Sequence, residues 1–78
     1  MWHEGMIGIK VNGKMQPHQY WVKGFDEGSQ YGIDGGRISK LTIKRDGKVV
    51  CNYDRGWDVK PQDEATEEAL AILMADYN

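Results

Sequence analysis

The sequence predicts an α+β domain, in which four strands form a mainly antiparallel meander and one C-terminal helix packs on one face, in the order ββββα. The period of the apolar residues changes once along the chain, from about two to about 3.6 residues. Two glycine turn signals, Asn12-Gly13 and Asp46-Gly47, divide the part before this change into hairpins. Because the 78 residues include no repeat, linker or low-complexity tract, we expect one domain over residues 1–78.

The first strand shows the alternation of a half-buried strand, since Ile7, Ile9 and Val11 alternate with Met6, Gly8 and Lys10. Asn12-Gly13 follows it and predicts a tight hairpin turn.

The second strand is predicted near residues 16–25. It carries Tyr20 and Val22 on one face and Trp21 on the other. Pro17 cannot donate a ladder hydrogen bond, so we expect it to mark an edge or a bulge, and it leaves the register of this hairpin open.

The second hairpin has two candidate loops around Asp46-Gly47. A two-residue loop places Ile43 opposite Val50 and Leu41 opposite Asn52. A three-residue loop over residues 45–47 instead pairs Ile43 with Val49, Leu41 with Cys51 and Ser39 with Tyr53. Only the second register keeps the apolar members of both strands on one face, so the sequence favours it. Cys51 is then a buried core thiol.

The end of the chain predicts a helix from about residue 63 to residue 77. Pro61 ends the extended structure, and Asp63 is placed to cap the helix. Acidic side chains in the first turns suit the positive end of the helix dipole. One stripe of the helix faces the sheet, and it consists of Thr66, Ala69, Leu70, Leu73, Met74 and Tyr77.

Composition and charge narrow the function classes. The chain has 10 basic and 12 acidic side chains, which argues against a general polyanion binder. All 10 basic residues lie in residues 1–60, which leaves room for a local basic patch. The lone Cys51 excludes an internal disulfide and fits a reducing cytoplasm, and no apolar run approaches the ~20 residues of a membrane span. We expect a cytoplasmic protein with no membrane partner.

Two further patterns in the sequence are candidate ligand sites. Gly35-Gly36 beside Arg37 suits an anion-binding loop, but such loops usually open a helix and this one leads into a strand, which favours a plain turn. His3 and His18 are candidate metal ligands across the first hairpin, yet no cysteine joins them. We expect neither a metal nor a cofactor.

The segment Tyr53-Asp54-Arg55-Gly56-Trp57-Asp58 is the most unusual in the chain. One interpretation is structural: Trp57 closes the open end of the core, Gly56 permits a bend and Arg55 pairs with an aspartate. Another is partner binding by Arg55 and Trp57, residue types that are enriched in interface hot spots. A third is acid–base chemistry by Asp54 and Asp58, which requires a pocket and perturbed pKa values.

Three strings of the chain carry a resemblance to a known group of proteins. They are residues 29–33 (SQYGI), residues 35–41 (GGRISKL) and residues 53–58 (YDRGWD), followed by a short helix that ends in Tyr77-Asn78. Together they resemble a family of uncharacterised small proteins of Gram-positive bacteria, often associated with phages and mobile elements. The resemblance implies a host lineage, and it carries no catalytic assignment.

The sheet face that the helix leaves uncovered is the predicted contact surface. We expect it to carry Ile38, Lys40, Thr42, Lys44, Val50 and Asn52, with Trp21 beside them. A mixture of basic and apolar groups favours a non-enzymatic module that binds a protein partner or a second copy of itself. One alternative is single-stranded nucleic acid, with Arg37, Lys40 and Lys44 on phosphates and Trp21 or Tyr31 stacked on bases. Another is a small enzyme subunit that uses Asp54, Asp58 and Arg55.

Overall fold

The computed structural model describes residues 1–78 as a five-stranded antiparallel sheet with one helix across one face. The strands lie side by side in chain order, which confirms an α+β meander with a C-terminal helix. The elements are β1 (Trp2–Val11), β2 (Lys14–Gly24), a 3-10 turn (Ile33–Gly35), β3 (Ile38–Arg45), β4 (Lys48–Asp54), β5 (Trp57–Val59) and α1 (Glu64–Tyr77).

The first hairpin forms around Asn12-Gly13 as predicted. Both residues have positive φ, 51° and 81°, as a two-residue type I′ turn requires, and Val11 pairs with Lys14. Pro17, in β2, lies opposite Gly8 of β1, and the pairing of β2 with β3 begins only at Gln19. The missing N–H of Pro17 therefore falls where β2 has a neighbour on one side only.

The predicted register of the second hairpin is wrong. Asp46 and Gly47, with φ of 53° and 77°, form a two-residue turn, so Arg45 pairs with Lys48. A bulge then leaves Val50 without a partner, and Leu41 pairs with Tyr53 rather than with Cys51. Because of the bulge, Cys51 and Tyr53 lie on the core face together with Leu41 and Ile43. The three-residue loop was predicted for the same reason, to keep the apolar residues of both strands on one face.

Because of this bulge and a second one, Val50 and Ile38 do not lie where the sequence predicts them. Val50 packs against the core instead of lying on the uncovered face, and Val49 is exposed. Between β2 and β3 the register shifts at Gly24, so that Ser39 is the extra residue and Ile38 is buried. Neither Ile38 nor Val50 belongs to the uncovered face.

The predicted strand count of four is also wrong, because Trp57–Val59 adds a fifth strand. Arg55 takes a left-handed conformation with φ of 59°, and its backbone N–H donates to the carbonyl of Ser39 at 2.9 Å. The chain therefore reverses within Asp54–Gly56, and Trp57 pairs with Tyr53. The sequence segment that suggested a bend is a hairpin turn.

The predicted helix is confirmed, since α1 covers Glu64–Tyr77 and Asp63 is its N-cap. The Asp63 side chain accepts a hydrogen bond from the Thr66 N–H at 2.8 Å and caps the first turn. Thr66, Ala69 and Leu73 are buried, with the other members of the stripe partly buried against the core. The helix has 14 residues, and no helix of this fold has the length and apolar content to cross a bilayer.

The core lies between this helix and the first four strands. Its buried members are Ile9, Val22, Ile33, Ile38, Leu41, Ile43, Cys51, Tyr53, Ala69 and Leu73. Cys51 is buried as predicted, and burial raises the pKa of its thiol to about 11.

The glycine-rich segment before β3 is a turn whose donors are already used. The N–H groups of Gly35 and Gly36 donate to the carbonyls of Gly32 and Ile33, so they form no anion cradle, which confirms the plain turn. The Asn78 side chain fastens the segment, because it donates to the Ile33 carbonyl at 3.0 Å and accepts from the Ile38 N–H at 2.9 Å.

Candidate functional site

One face of the sheet carries no helix, and we call it the open face. Because side chains alternate along a strand, the residues of β1 and β2 opposite to the core set lie on it. The pairing places the following side chains there: Trp2, Glu4, Met6 and Lys10 of β1; Met15, Gln19, Trp21 and Lys23 of β2; Lys40, Thr42 and Lys44 of β3; and Asn52 and Asp54 of β4.

The outer part of the open face, on β1 and β2, carries exposed apolar side chains among charged and polar ones. Trp2, Met6 and Met15 expose 56%, 60% and 65% of their surfaces. The Met15 methyl lies over Gly8 in the neighbouring strand. These are large apolar groups on two adjacent strands, and aromatic residues and methionine are the types that protein interfaces favour.

The inner part of the open face, on β2 to β4, is polar and largely basic. Lys44 Nζ lies 5.6 Å from the Trp21 ring centroid, within the range of a cation–π contact. Thr42 donates to Asn52 at 2.7 Å, and Lys40 Nζ lies 3.7 Å from the Asp54 carboxylate. The structure thus brings together three of the predicted site residues, Trp21, Lys40 and Lys44.

The other predicted site residues lie elsewhere. Arg37 lines a shallow hollow with His3, Asp76 and Tyr77, near the end of the helix. Its position separates it from the basic strand residues with which the sequence grouped it.

Trp57 lies on the helix side of the sheet, opposite Tyr53, with the two rings edge to face at 5.1 Å. The helix packs mainly on β1, β2 and β3, and 38% of the Trp57 surface is exposed. The expectation that Trp57 closes the core between the sheet and the helix is therefore wrong.

Arg55 does not pair with an aspartate, which corrects the structural interpretation of its segment. Its guanidinium carbon lies 4.6 Å from the Tyr31 ring centroid, and its side chain forms no ion pair or hydrogen bond. Asp54 lies beside Lys40 instead, and Asp58 accepts a hydrogen bond from Asn52 at 2.9 Å.

A cleft lies at one corner of the open face, where β2 and β3 meet the loop before the 3-10 turn. It has a volume of about 350 Å³ and is lined by Lys23, Lys40 and Arg55 together with Phe25 and Tyr31. Sequence reasoning missed Lys23 and Phe25 as site residues. The available signal for Lys23 was its position two residues after Trp21, which places both side chains on the same face of β2.

The two histidines occupy separate positions. His3 stacks on Tyr77 with ring centroids 4.7 Å apart, and His18 is buried between the Gln16 carbonyl and Arg45. No group of three or more His, Cys, Asp or Glu side chains is placed to hold a metal ion. The hydrogen bond that the Tyr77 hydroxyl shares with the Tyr20 hydroxyl is the main cause of the raised pKa of Tyr77, which lies on the helix side and away from the open face.

Comparison with known proteins gives a family and no function. No curated protein and no solved structure matches the chain. One family of uncharacterised proteins matches it over residues 1–78, which is its whole length. The chain therefore belongs to the family described as Domain of unknown function (DUF7678).

Proposed function

We propose that this protein is a non-enzymatic interaction module that binds a second copy of itself through the edge of β1 and the outer part of the open face. The observation that carries the proposal is the free edge of β1, a strand of 10 residues without proline whose only neighbour is β2. Such an edge presents unpaired backbone donors and acceptors, which a second strand can satisfy.

The hairpin register shows which backbone groups are free. Met1 exchanges both backbone hydrogen bonds with Gly24, at 2.8 Å and 3.0 Å, so odd-numbered residues of β1 point their N–H and C=O groups at β2. The even-numbered residues therefore point theirs at the free edge. Glu4, Met6, Gly8 and Lys10 supply these free groups, and the three side chains among them, those of Glu4, Met6 and Lys10, lie on the open face.

One antiparallel register between two β1 strands satisfies charge and shape together. A two-fold axis at Ile7 places Glu4 of each copy opposite Lys10 of the other, and Met6 opposite Gly8. Both pairs fall at positions with free backbone groups. The partner's Met6 then meets Gly8 and the Met15 methyl that covers it. Registers centred on Met6 or Gly8 lose both ion pairs.

A charge-reversal series tests this register. Lys10→Glu places like charges opposite each other twice, and we expect it to weaken the dimer roughly tenfold. The double variant Glu4→Lys/Lys10→Glu restores opposite charges and should restore the dimer. Lys14→Glu makes the same charge change on β2, away from the edge, and is the matched control. Light scattering after size-exclusion chromatography, over a concentration range, measures the affinity.

Two outcomes would contradict the proposal. A chain that stays monomeric at high micromolar concentration does not self-associate. A dimer that Lys10→Glu and Lys14→Glu weaken equally uses another surface. Circular dichroism of each variant checks that the substitution has left the fold intact.

Single-stranded nucleic acid is a second candidate ligand of the open face. It is supported by the Lys44–Trp21 contact and by Lys23 and Lys40, which lie directly opposite each other. Phosphates would meet the lysines, and a base would stack on Trp21. Fluorescence anisotropy with labelled oligonucleotides at low salt tests it, with Lys44→Gln as the variant and Lys48→Gln as the control. Absence of binding at low salt would end this candidate.

An enzyme that uses Asp54, Asp58 and Arg55 has the least support. The carboxylates of Asp54 and Asp58 are both exposed. Asp54 already contacts Lys40, and Asp58 accepts a hydrogen bond from Asn52. We further propose that the protein acts in the cytoplasm of a Gram-positive bacterium and is encoded by the bacterium or by one of its phages or mobile elements. The buried free thiol of Cys51 and the resemblance of the three sequence strings support this setting. Gene neighbourhood and cell fractionation test it.

A further inference from the structure

The cleft at the corner of the open face gathers positive charge without matching negative charge. Lys23 and Lys40 are direct cross-strand partners, an arrangement that repels and costs stability. Lys40 has one carboxylate nearby, that of Asp54 at 3.7 Å, and both side chains of this pair are substantially exposed. Lys23 and Arg55 form no ion pair, and no carboxylate lines the cleft. An anion bound here would relieve the repulsion.

Arg55 is held in place with its donors unused. Its left-handed backbone, with φ of 59°, is fixed by the hydrogen bond from its N–H to Ser39. Its guanidinium lies over the Tyr31 ring and makes no hydrogen bond, whereas Arg45 donates to His18, Asp63 and Thr66. A stacked guanidinium keeps its edge N–H groups free for a bidentate contact with a phosphate.

The aromatic walls of the cleft are also supported and exposed. The Tyr53 hydroxyl donates to the Tyr31 carbonyl at 2.8 Å, and the Tyr31 N–H donates to Ser29 at 3.2 Å, so the loop holds Tyr31 in position. Phe25 exposes 51% of its surface, and Lys23 Nζ lies 5.6 Å from its ring. An exposed phenylalanine beside a cation suits a ligand that carries both a ring and a negative charge.

We propose that this cleft binds a mononucleotide, either free or at the end of a nucleic-acid strand. The phosphate contacts Lys23, Lys40 and Arg55, and the base packs against Phe25. A volume of about 350 Å³ lies within the range of roughly 300–1,000 Å³ that small-molecule sites occupy. This site goes beyond self-association, because it uses the inner corner of the open face and not the edge of β1.

Isothermal titration calorimetry with the full chain at low ionic strength tests the site. Adenosine 5′-monophosphate should bind about tenfold more tightly than either adenosine or inorganic phosphate, because only the nucleotide uses both halves of the cleft. Arg55→Gln and Lys23→Gln should each weaken its binding about tenfold, since each removes a charge-assisted contact. Lys48→Gln removes a lysine outside the cleft and should leave the affinity unchanged.

Three results would overturn the site: no binding of adenosine 5′-monophosphate at millimolar concentration, equal affinity for inorganic phosphate, or equal losses in Lys48→Gln and Arg55→Gln. The affinity of an oligonucleotide with a 5′-phosphate, compared with that of adenosine 5′-monophosphate, distinguishes the two sources of the nucleotide, and the same strand without the phosphate is the control. Tighter binding of the phosphorylated strand than of the free nucleotide assigns the site to strand ends, and weaker binding assigns it to free nucleotides. Lys10→Glu should not change nucleotide affinity, so this test is separate from that of the dimer.

Discussion

Arg45 donates two hydrogen bonds to the carboxylate of Asp63, from Nη2 to Oδ2 at 2.7 Å and from Nη1 to Oδ1 at 3.3 Å. Arg45 ends β3 and Asp63 caps the helix, so this pair joins the second hairpin to the start of the helix. The Arg45 guanidinium and the Thr66 N–H hold the pKa of Asp63 well below its usual range. The same contact raises the pKa of Arg45.

Asp63→Asn should make stability less dependent on pH in the acid range. Since the folded-state pKa of Asp63 is lowered, its carboxylate stabilises the fold above the unfolded pKa of about 4, and this contribution is lost as pH falls toward the folded value. Asparagine caps helices about as well as aspartate. At neutral pH we therefore expect the variant to lose only about 0.5–1 kcal/mol, because the pair is partly exposed.

Urea unfolding of both proteins at neutral pH and near pH 2 measures this difference, with Asp26→Asn as the control at an exposed loop position. The gap between wild type and Asp63→Asn should narrow at the lower pH. A gap that stays constant would show that the ionised carboxylate of Asp63 is not the source of the lost stability.

Trp57→Ala should destabilise the protein by about 1–2 kcal/mol, less than the ~3–5 kcal/mol of a buried aromatic residue. The reason is that Trp57 is partly exposed, although its ring meets the core ring of Tyr53 edge to face. Tyr53→Ala is the matched comparison, since Tyr53 is buried and donates to the Tyr31 carbonyl, and it should cost the larger amount. Thermal melts by circular dichroism compare them. Equal losses would place Trp57 in the core.

Local signals in the sequence were enough for the first hairpin and the helix. Asn12-Gly13 selects a two-residue turn because both positions adopt positive φ, and Asp63 is a capping residue directly before a stripe of apolar residues. The register of the second hairpin depends on a bulge at Val50, and comparing uniform registers cannot find it. Cys51 and Tyr53 were nonetheless assigned correctly to the core face, because the bulge restores the alternation that the turn disturbs.

The candidate sites were less predictable, because tertiary contacts create them. The cleft unites Lys23, Tyr31 and Arg55, which are distant in sequence and meet only when the loop before β3 is fastened by Tyr53. The exposure of Trp57 depends on where the helix lies across the sheet, which the pattern of the helix does not specify. Trp21 and Lys44 were predicted together because strand alternation alone places them on one face.

Cys51 should react with thiol reagents only when the protein unfolds. Its side chain is fully buried, and burial raises its thiol pKa to about 11, so little of the reactive thiolate forms at pH 8. The labelling rate with a disulfide reagent should rise with urea in parallel with global unfolding. Cys51→Ala should be tolerated better than Cys51→Ser, whose hydroxyl would have no partner in the core and would cost about 1–3 kcal/mol. Rapid labelling of the native protein would contradict this placement.

Asn78→Ala should loosen the segment before β3 and cost about 1–3 kcal/mol, because it removes the acceptor of the partly buried Ile38 N–H. It also removes the donor to the Ile33 carbonyl. Hydrogen exchange should become faster at Gly35, Gly36 and Ile38, while the amides of β1 stay protected. Asp76→Ala changes an exposed residue of the same helix and is the control.

Gly36→Ala tests the same contact from the opposite side. A β-carbon at residue 36 would overlap the side-chain amide of Asn78, so either the amide moves or the segment does. We expect the amide hydrogen exchange of Ile38 to accelerate in Gly36→Ala as it does in Asn78→Ala. In the double variant the two effects should not add, because both act by breaking the hydrogen bond between Asn78 and Ile38. Additive losses of unfolding free energy would instead show that residue 36 and Asn78 stabilise the fold independently.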